Sequence, residues 1–216
     1  MTPSSRAPGR LVAVEGIDGS GKSTFVRALA AALRRRGWSI AVRREPADRT
    51  LGKLAQAASV QDPWTGGIYF TVDRHLARPA LEKDLASHDL VLSDRSFFST
   101  LAYQGSALPI VAQRRLARLQ RRATVAPDRI VLLDLEPELA LRRLGIRALR
   151  RGPLERRATL RRVVKEYRSL ARGPGWFVVD GRLPTTTLVS TVVSRIERLL
   201  RTPRRRAATG AVRRRR

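Results

Sequence analysis

A chain of 216 residues with 43% hydrophobic content is long enough to bury one core and too apolar for a disordered polypeptide. The absence of cysteine excludes a disulfide framework and any thiolate metal site, and no apolar run reaches the roughly 18 residues of a membrane span. Net charge is +26, and only Lys22, Lys53, Lys83 and Lys165 among the 44 basic residues are lysine. Such a field attracts polyphosphates and nucleic acid, but a compositional bias toward arginine, carried on solvated helix faces, is the reading preferred for it. No paired Cys/His finger and no aromatic RNA-binding signature accompanies the charge.

The first ten residues, MTPSSRAPGR, lack the apolar core of a secretory signal. They read as a flexible extension (1–10) of a cytoplasmic protein. LVAVEG (11–16) is apolar throughout and predicts a first buried strand. A helix follows from about Lys22, with Phe25, Val26, Leu29 and Leu33 on one face and Gly37 beyond its end. WSIAVRRE (38–45) predicts a second strand, and a helix near 65–86 leads to a third, HDLVLSD (88–94). Helices near 97–104 and 109–122 precede the fourth strand, DRIVLLDL (128–135). Helices near 137–150 and 155–172 precede the fifth strand, WFVVD (176–180), and a last helix covers 185–201. This alternation predicts an α/β domain, a five-stranded parallel sheet with helices on both faces, over 11–201. The remaining stretch, 202–216, is arginine-rich without apolar periodicity and predicts a disordered basic tail, the one segment through which nucleic acid would be contacted.

The chemistry concentrates at EGIDGSGKST (15–24). Gly16-x4-Gly21-Lys22-Ser23 has the spacing of a phosphate-binding loop between strand and helix. Gly16, Gly19 and Gly21 let the backbone amides of Gly16, Ile17, Asp18, Gly19, Ser20, Gly21, Lys22, Ser23 and Thr24 wrap around phosphate oxygens. Lys22 is placed to reach the β- and γ-phosphates of a nucleoside triphosphate, and the Ser23 hydroxyl to ligate Mg²⁺. Asp18 puts a carboxylate where phosphates arrive, either orienting metal-bound water or a substrate hydroxyl, or capping its own turn. Asp94 ends the third strand, where open α/β sheets bind ligands, and Arg95 beside it offers a planar fork for a second phosphate.

Taken together, VAVEGIDGSGKST, RREP, YFTVDR, VLSDRSFFSTLAYQG and APDRIVLLDLEPELALRR occur in an order that resembles the thymidylate kinase family, from about Leu11 to Asp180. The resemblance implies a P-loop NTPase fold with a helical lid (about 143–156), ATP and dTMP as substrates, Mg²⁺ as cofactor and a homodimer. It implies that Phe70 stacks on thymine, that Arg74 faces the base edge, and that Arg95 clamps the dTMP phosphate with Arg44 and Glu45 nearby. Ser99, Thr100, Tyr103 and Gln104 would read base and sugar, and Asp18 would meet the sugar 3′-hydroxyl. The metal would be held by Ser23, Asp18 and Asp94, partly through water. Where Gly19 stands, some family members carry an arginine, so the resemblance shifts that role to the lid. There Arg147, Arg150 and Arg151 are the candidates, with Arg151 assigned to catalysis, and Arg143 would stack on adenine. The chain departs from the family after REP, where Ala47 and Asp48 replace the usual glycine pair. A related kinase with another acceptor, or a nucleotide-responsive nucleic-acid-binding protein, is the alternative reading.

Overall fold

The computed structural model describes residues 8–145 and 157–203. Five parallel strands form one sheet in the order β2-β3-β1-β4-β5. They are β1 (Arg10–Glu15), β2 (Ile40–Arg44), β3 (Leu90–Asp94), β4 (Arg129–Asp134) and β5 (Trp176–Asp180), close to the predicted spans. Eight helices lie among the described residues: α1 (Lys22–Arg34), α2 (Arg49–Gln61), α3 (Pro63–Ser87), α4 (Phe97–Tyr103), α5 (Ile110–Ala123), α6 (Pro137–Leu144), α7 (Arg157–Leu170) and α8 (Thr185–Arg201).

Both faces of the sheet are covered, which explains the near-continuous apolar runs of its central strands. On one face Phe25, Leu29 and Leu33 of α1 and Val192 and Ile196 of α8 pack onto Val12, Val14, Leu92 and Val131. On the other, Ala140 of α6 and Leu160, Val163 and Tyr167 of α7 meet Leu132 and the end of α4. Each fully buried side chain of this size contributes about 1.5–3 kcal/mol. The chain leaves β1 toward β2 on one side and leaves β3 toward β4 on the other. The connections therefore diverge between β1 and β3, and this is where such sheets open a crevice for ligands.

Helix α2 has no counterpart among the predicted elements, and α3 starts two residues earlier than predicted. Both begin at an aspartate cap. The Asp48 carboxylate accepts the Leu51 amide (2.7 Å), and Asp62 accepts those of Trp64 (3.0 Å) and Thr65 (2.9 Å), with Pro63 in the first helical turn. The departure at Ala47 and Asp48 is thus a helix start. The two helices approach closely because residue 66 is glycine: a Cβ there would stand 2.0 Å from the Ser59 hydroxyl. The predicted lid positions Arg147, Arg150 and Arg151 lie outside the described residues, as do most of the N-terminal extension and of the basic tail.

Candidate active site

The loop between β1 and α1 has the curled backbone that its glycines imply. Gly19 has φ +85°, and a Cβ on it would lie 2.6 Å from the Ala140 carbonyl of α6. No side chain fits there without moving α6. Lys22 is only 6% exposed, and its ammonium donates to the Ile17 carbonyl at 2.8 Å. Burial and the nearby Arg95 charge pull its pKa from the ordinary 10.5 down to about 8, against the opposing effect of Asp18. Ser20, inside the loop, buries a hydroxyl with no partner among the described residues.

At the end of β3, Asp94 accepts the Ser23 hydroxyl at 2.5 Å. The parallel register aligns Val14 with Asp94, so the loop after β1 and the turn after β3 open side by side. Arg95 has φ +81°, an uncommon conformation for a non-glycine residue, locked by its amide donating to Val14 O (3.0 Å). Its guanidinium forms an ion pair with Asp18, donates to Ser99 Oγ (3.1 Å) and lies over the Tyr103 ring at 5.6 Å. Burial disfavours this charge, but Asp18 and the neighbouring tyrosines hold the Arg95 pKa above its ordinary value. Asp18 also lies 3.9 Å from Lys22, and its amide donates to the Tyr103 hydroxyl (3.1 Å). One carboxylate thus joins the lysine of the loop after β1 to the arginine of the turn after β3.

Beyond Arg95 opens a cleft of about 840 Å³, lined by every residue that the sequence assigns to the acceptor: Arg44, Glu45, Phe70, Arg74, Arg95, Ser99, Thr100, Tyr103 and Gln104. Two of them are committed differently from the expectation. Arg74 is buried, and it donates to Glu45 (2.7 Å), Thr100 (2.9 Å), Gln120 (2.8 Å) and the Ser96 carbonyl (3.0 Å), so it braces the cleft wall instead of presenting a free fork to a base. The Gln104 amide is engaged by α2. There it donates to Ser59 Oγ (3.1 Å), whose own proton goes to Ala55 O (2.6 Å). Phe70 is half-buried in the cleft wall.

Sequence reasoning missed the contribution of α2, which lines the cleft with Arg49, Lys53, Gln56, Ala57 and Val60. Its cations stand at the Arg44 and Pro46 end, and its apolar residues come later along the helix. The one sequence signal for this helix was Asp48, whose carboxylate caps its first turn. It also missed Glu15 and Tyr167, which meet behind the loop. Arg143 donates to the Gly181 carbonyl (2.9 Å) at the turn after β5.

The oxygen donors suit a hard divalent ion. Ser23 Oγ and Asp94 meet directly, and Mg²⁺ takes few protein ligands beside phosphate oxygens and water. The Asp18 carboxylate, the third expected metal residue, faces Arg95 and Lys22.

Comparison with known proteins agrees with this geometry. A sequence model described as thymidylate kinase matches residues 14–192. The chain is 32% identical over 200 residues to a probable thymidylate kinase of Metallosphaera sedula, covering 93% of this chain and 98% of that protein. It is 38% identical over 157 residues to a probable thymidylate kinase of Archaeoglobus fulgidus (72% and 79% covered). It is 36% identical over 209 residues to a thymidylate kinase of Thermomicrobium roseum (90% and 97% covered). A match that runs from the first strand into the last helix, on a chain whose phosphate loop and arginine turn open onto one crevice, places this protein in the thymidylate kinase family.

Proposed function

We propose that this protein is a phosphotransferase that moves the γ-phosphoryl group of ATP onto dTMP, giving dTDP and ADP. A dTMP phosphate oxygen forms the new bond to the γ-phosphorus as the bond to the β-bridging oxygen breaks, and ADP leaves with that electron pair. The acceptor phosphate is already anionic, so no strong general base is needed. The observation that carries this reading is Asp18 bridging Lys22 and Arg95, which sets a donor cradle and an acceptor clamp side by side.

Lys22 and the loop amides hold the donor phosphates, while Arg95, with Arg44, holds the acceptor phosphate. Both cations neutralise charge that builds on the oxygens during transfer. Phe70 stacks on the base. Ser99, Thr100, Tyr103 and Gln104 shape the base and sugar site, with the Gln104 amide held back by Ser59. Arg49 and Lys53 extend the positive end of the cleft. Ser23 and Asp94 would hold Mg²⁺, which when bound screens the β- and γ-phosphates. Arg143 flanks the adenine end, and one of the lid arginines Arg147, Arg150 and Arg151 completes the charge around the transferring group. The cytoplasm is the compartment in which this reading would operate.

A coupled ADP-release assay with dTMP, dUMP, dCMP, dGMP and AMP tests the acceptor. We expect dTMP to be used best and the rate to vanish when Mg²⁺ is chelated. Comparable rates on all five nucleotides would refute the dTMP assignment.

The same reading includes a homodimer. Val72 and Leu76, one turn apart on α3, are 41% and 65% exposed, an apolar strip suited to a second copy. Light scattering should give twice the 24.1 kDa of one chain. A species at the single-chain mass would contradict the dimer.

A further inference from the structure

Glu15 ends β1 directly before the phosphate loop and is fully buried. Among the described residues it has no ion-pair partner within salt-bridge distance. A buried carboxylate of this kind is tolerated only when hydrogen bonds saturate it. Four do so. Oε1 accepts the Ser96 amide and hydroxyl, both at 2.7 Å. Oε2 accepts the Ser99 hydroxyl at 2.6 Å and the Tyr167 hydroxyl at 2.8 Å.

These bonds dictate what Arg95 meets. Ser99 has one proton, and Glu15 takes it. The Ser99 oxygen is left as an acceptor, and Arg95 Nη1 donates to it at 3.1 Å. Tyr167 reaches the same Oε2 from α7, across the core, and its oxygen lies 3.1 Å from Ser99 Oγ. With Oε1 committed to Ser96, the tyrosine hydroxyl fixes the plane of the carboxylate and therefore the place of Ser99. Burial and the Glu15 charge keep the Tyr167 phenol protonated well beyond its ordinary range, so it remains a donor.

We propose that Tyr167 is a positioning residue for acceptor binding, acting through Glu15 and Ser99 to aim the Arg95 guanidinium. This rests on the reading of Arg95 as the acceptor clamp. The hydroxyl touches no substrate. It couples α7, which leads from the lid side of the chain, to the arginine turn after β3. Apolar spacing with Leu160, Val163 and Val164 marks Tyr167 only as a core residue, and the phosphate-loop spacing starts after Glu15, so neither pattern announces their contact.

Steady-state kinetics of Tyr167→Phe, Arg95→Ala and the double variant test it. Phenylalanine keeps the ring that packs with Leu160 and Val163, so the fold should survive. We expect Tyr167→Phe to raise KM for dTMP about tenfold, the effect of losing one hydrogen bond to a charged group, with KM for ATP unchanged. In the Arg95→Ala background the same change should add nothing. Lower thermal stability with an unchanged KM for dTMP would assign Tyr167 to packing alone and overturn the proposal. Additive effects in the double variant would overturn it too. A normal KM for dTMP in Arg95→Ala would refute the acceptor reading itself, and so separates the two failures.

Discussion

Lys22→Ala is expected to lower turnover by about 10²- to 10³-fold while the protein stays folded. Lys22 is nearly inaccessible, and among the described residues its ammonium has one short contact, to the Ile17 carbonyl within its own loop. Its removal deletes a desolvated charge and little packing, so thermal stability should hold. The loss falls on transfer, because charge accumulates on the phosphate oxygens at that step. The pH dependence carries the same signature. With a pKa of about 8 in the folded chain, Lys22 loses its proton within the working range. The kcat/KM for ATP should therefore fall tenfold per unit above about pH 8, while kcat persists to higher pH because bound phosphates retain the proton. The stability effect has the opposite sense. Between about 8 and the ordinary 10.5 the folded chain binds fewer protons than the unfolded chain, so this residue's contribution to stability rises with pH across that window. Lys22→Ala should abolish both trends. Near-normal turnover, or an unchanged alkaline limb, would show that the lysine does not act on the donor.

Arg95→Ala should raise KM for dTMP by about a hundredfold, near 2.7 kcal/mol, the range found when one partner of a buried hydrogen-bonded charge pair is truncated. KM for ATP should change little. A second effect follows from the geometry. Arg95 is among the charges that depress the Lys22 pKa, and it also engages Asp18. Without it the repulsion that lowers the Lys22 pKa is lost while Asp18 still raises it, so the alkaline limb should move to higher pH. Acceptor titrations and the pH profile, measured on one variant, check both. Loss of ATP affinity with normal dTMP use would mean that the two phosphate positions are reversed.

The strands and the phosphate loop were legible because their signals are local: apolar runs, glycine spacing, and an aspartate and arginine at a strand end. Helix α2 was hidden for a physical reason. Its buried face consists of Gly52, Ala55 and Ser59, residues too small to register as an apolar stripe. Only the Asp48 cap announced it. Arg74 was placed in the cleft by its spacing from Phe70, but its internal partners were not foreseen. Its partners Glu45, Ser96, Thr100 and Gln120 lie 22 to 46 positions away, so no spacing argument could find them. Glu15 stood in plain view within the loop motif. Its importance depends on Tyr167, 152 residues later, which only the folded chain brings to it.

The segment between β2 and α2 is tied down by two consecutive residues of α3. Arg74 holds Glu45, and Asp73 accepts the amides of Ala47 (2.9 Å) and Asp48 (2.7 Å). Residues 45 to 48 thus have their conformation set from within the protein. A nucleotide entering the cleft has little chain to immobilise there, and the entropy of ordering that wall is a cost of folding, not of binding. Affinity for the acceptor is accordingly a property of α3 as much as of the residues that touch it. Substitutions at Asp73, which meets no ligand in this scheme, would act on binding by loosening the wall.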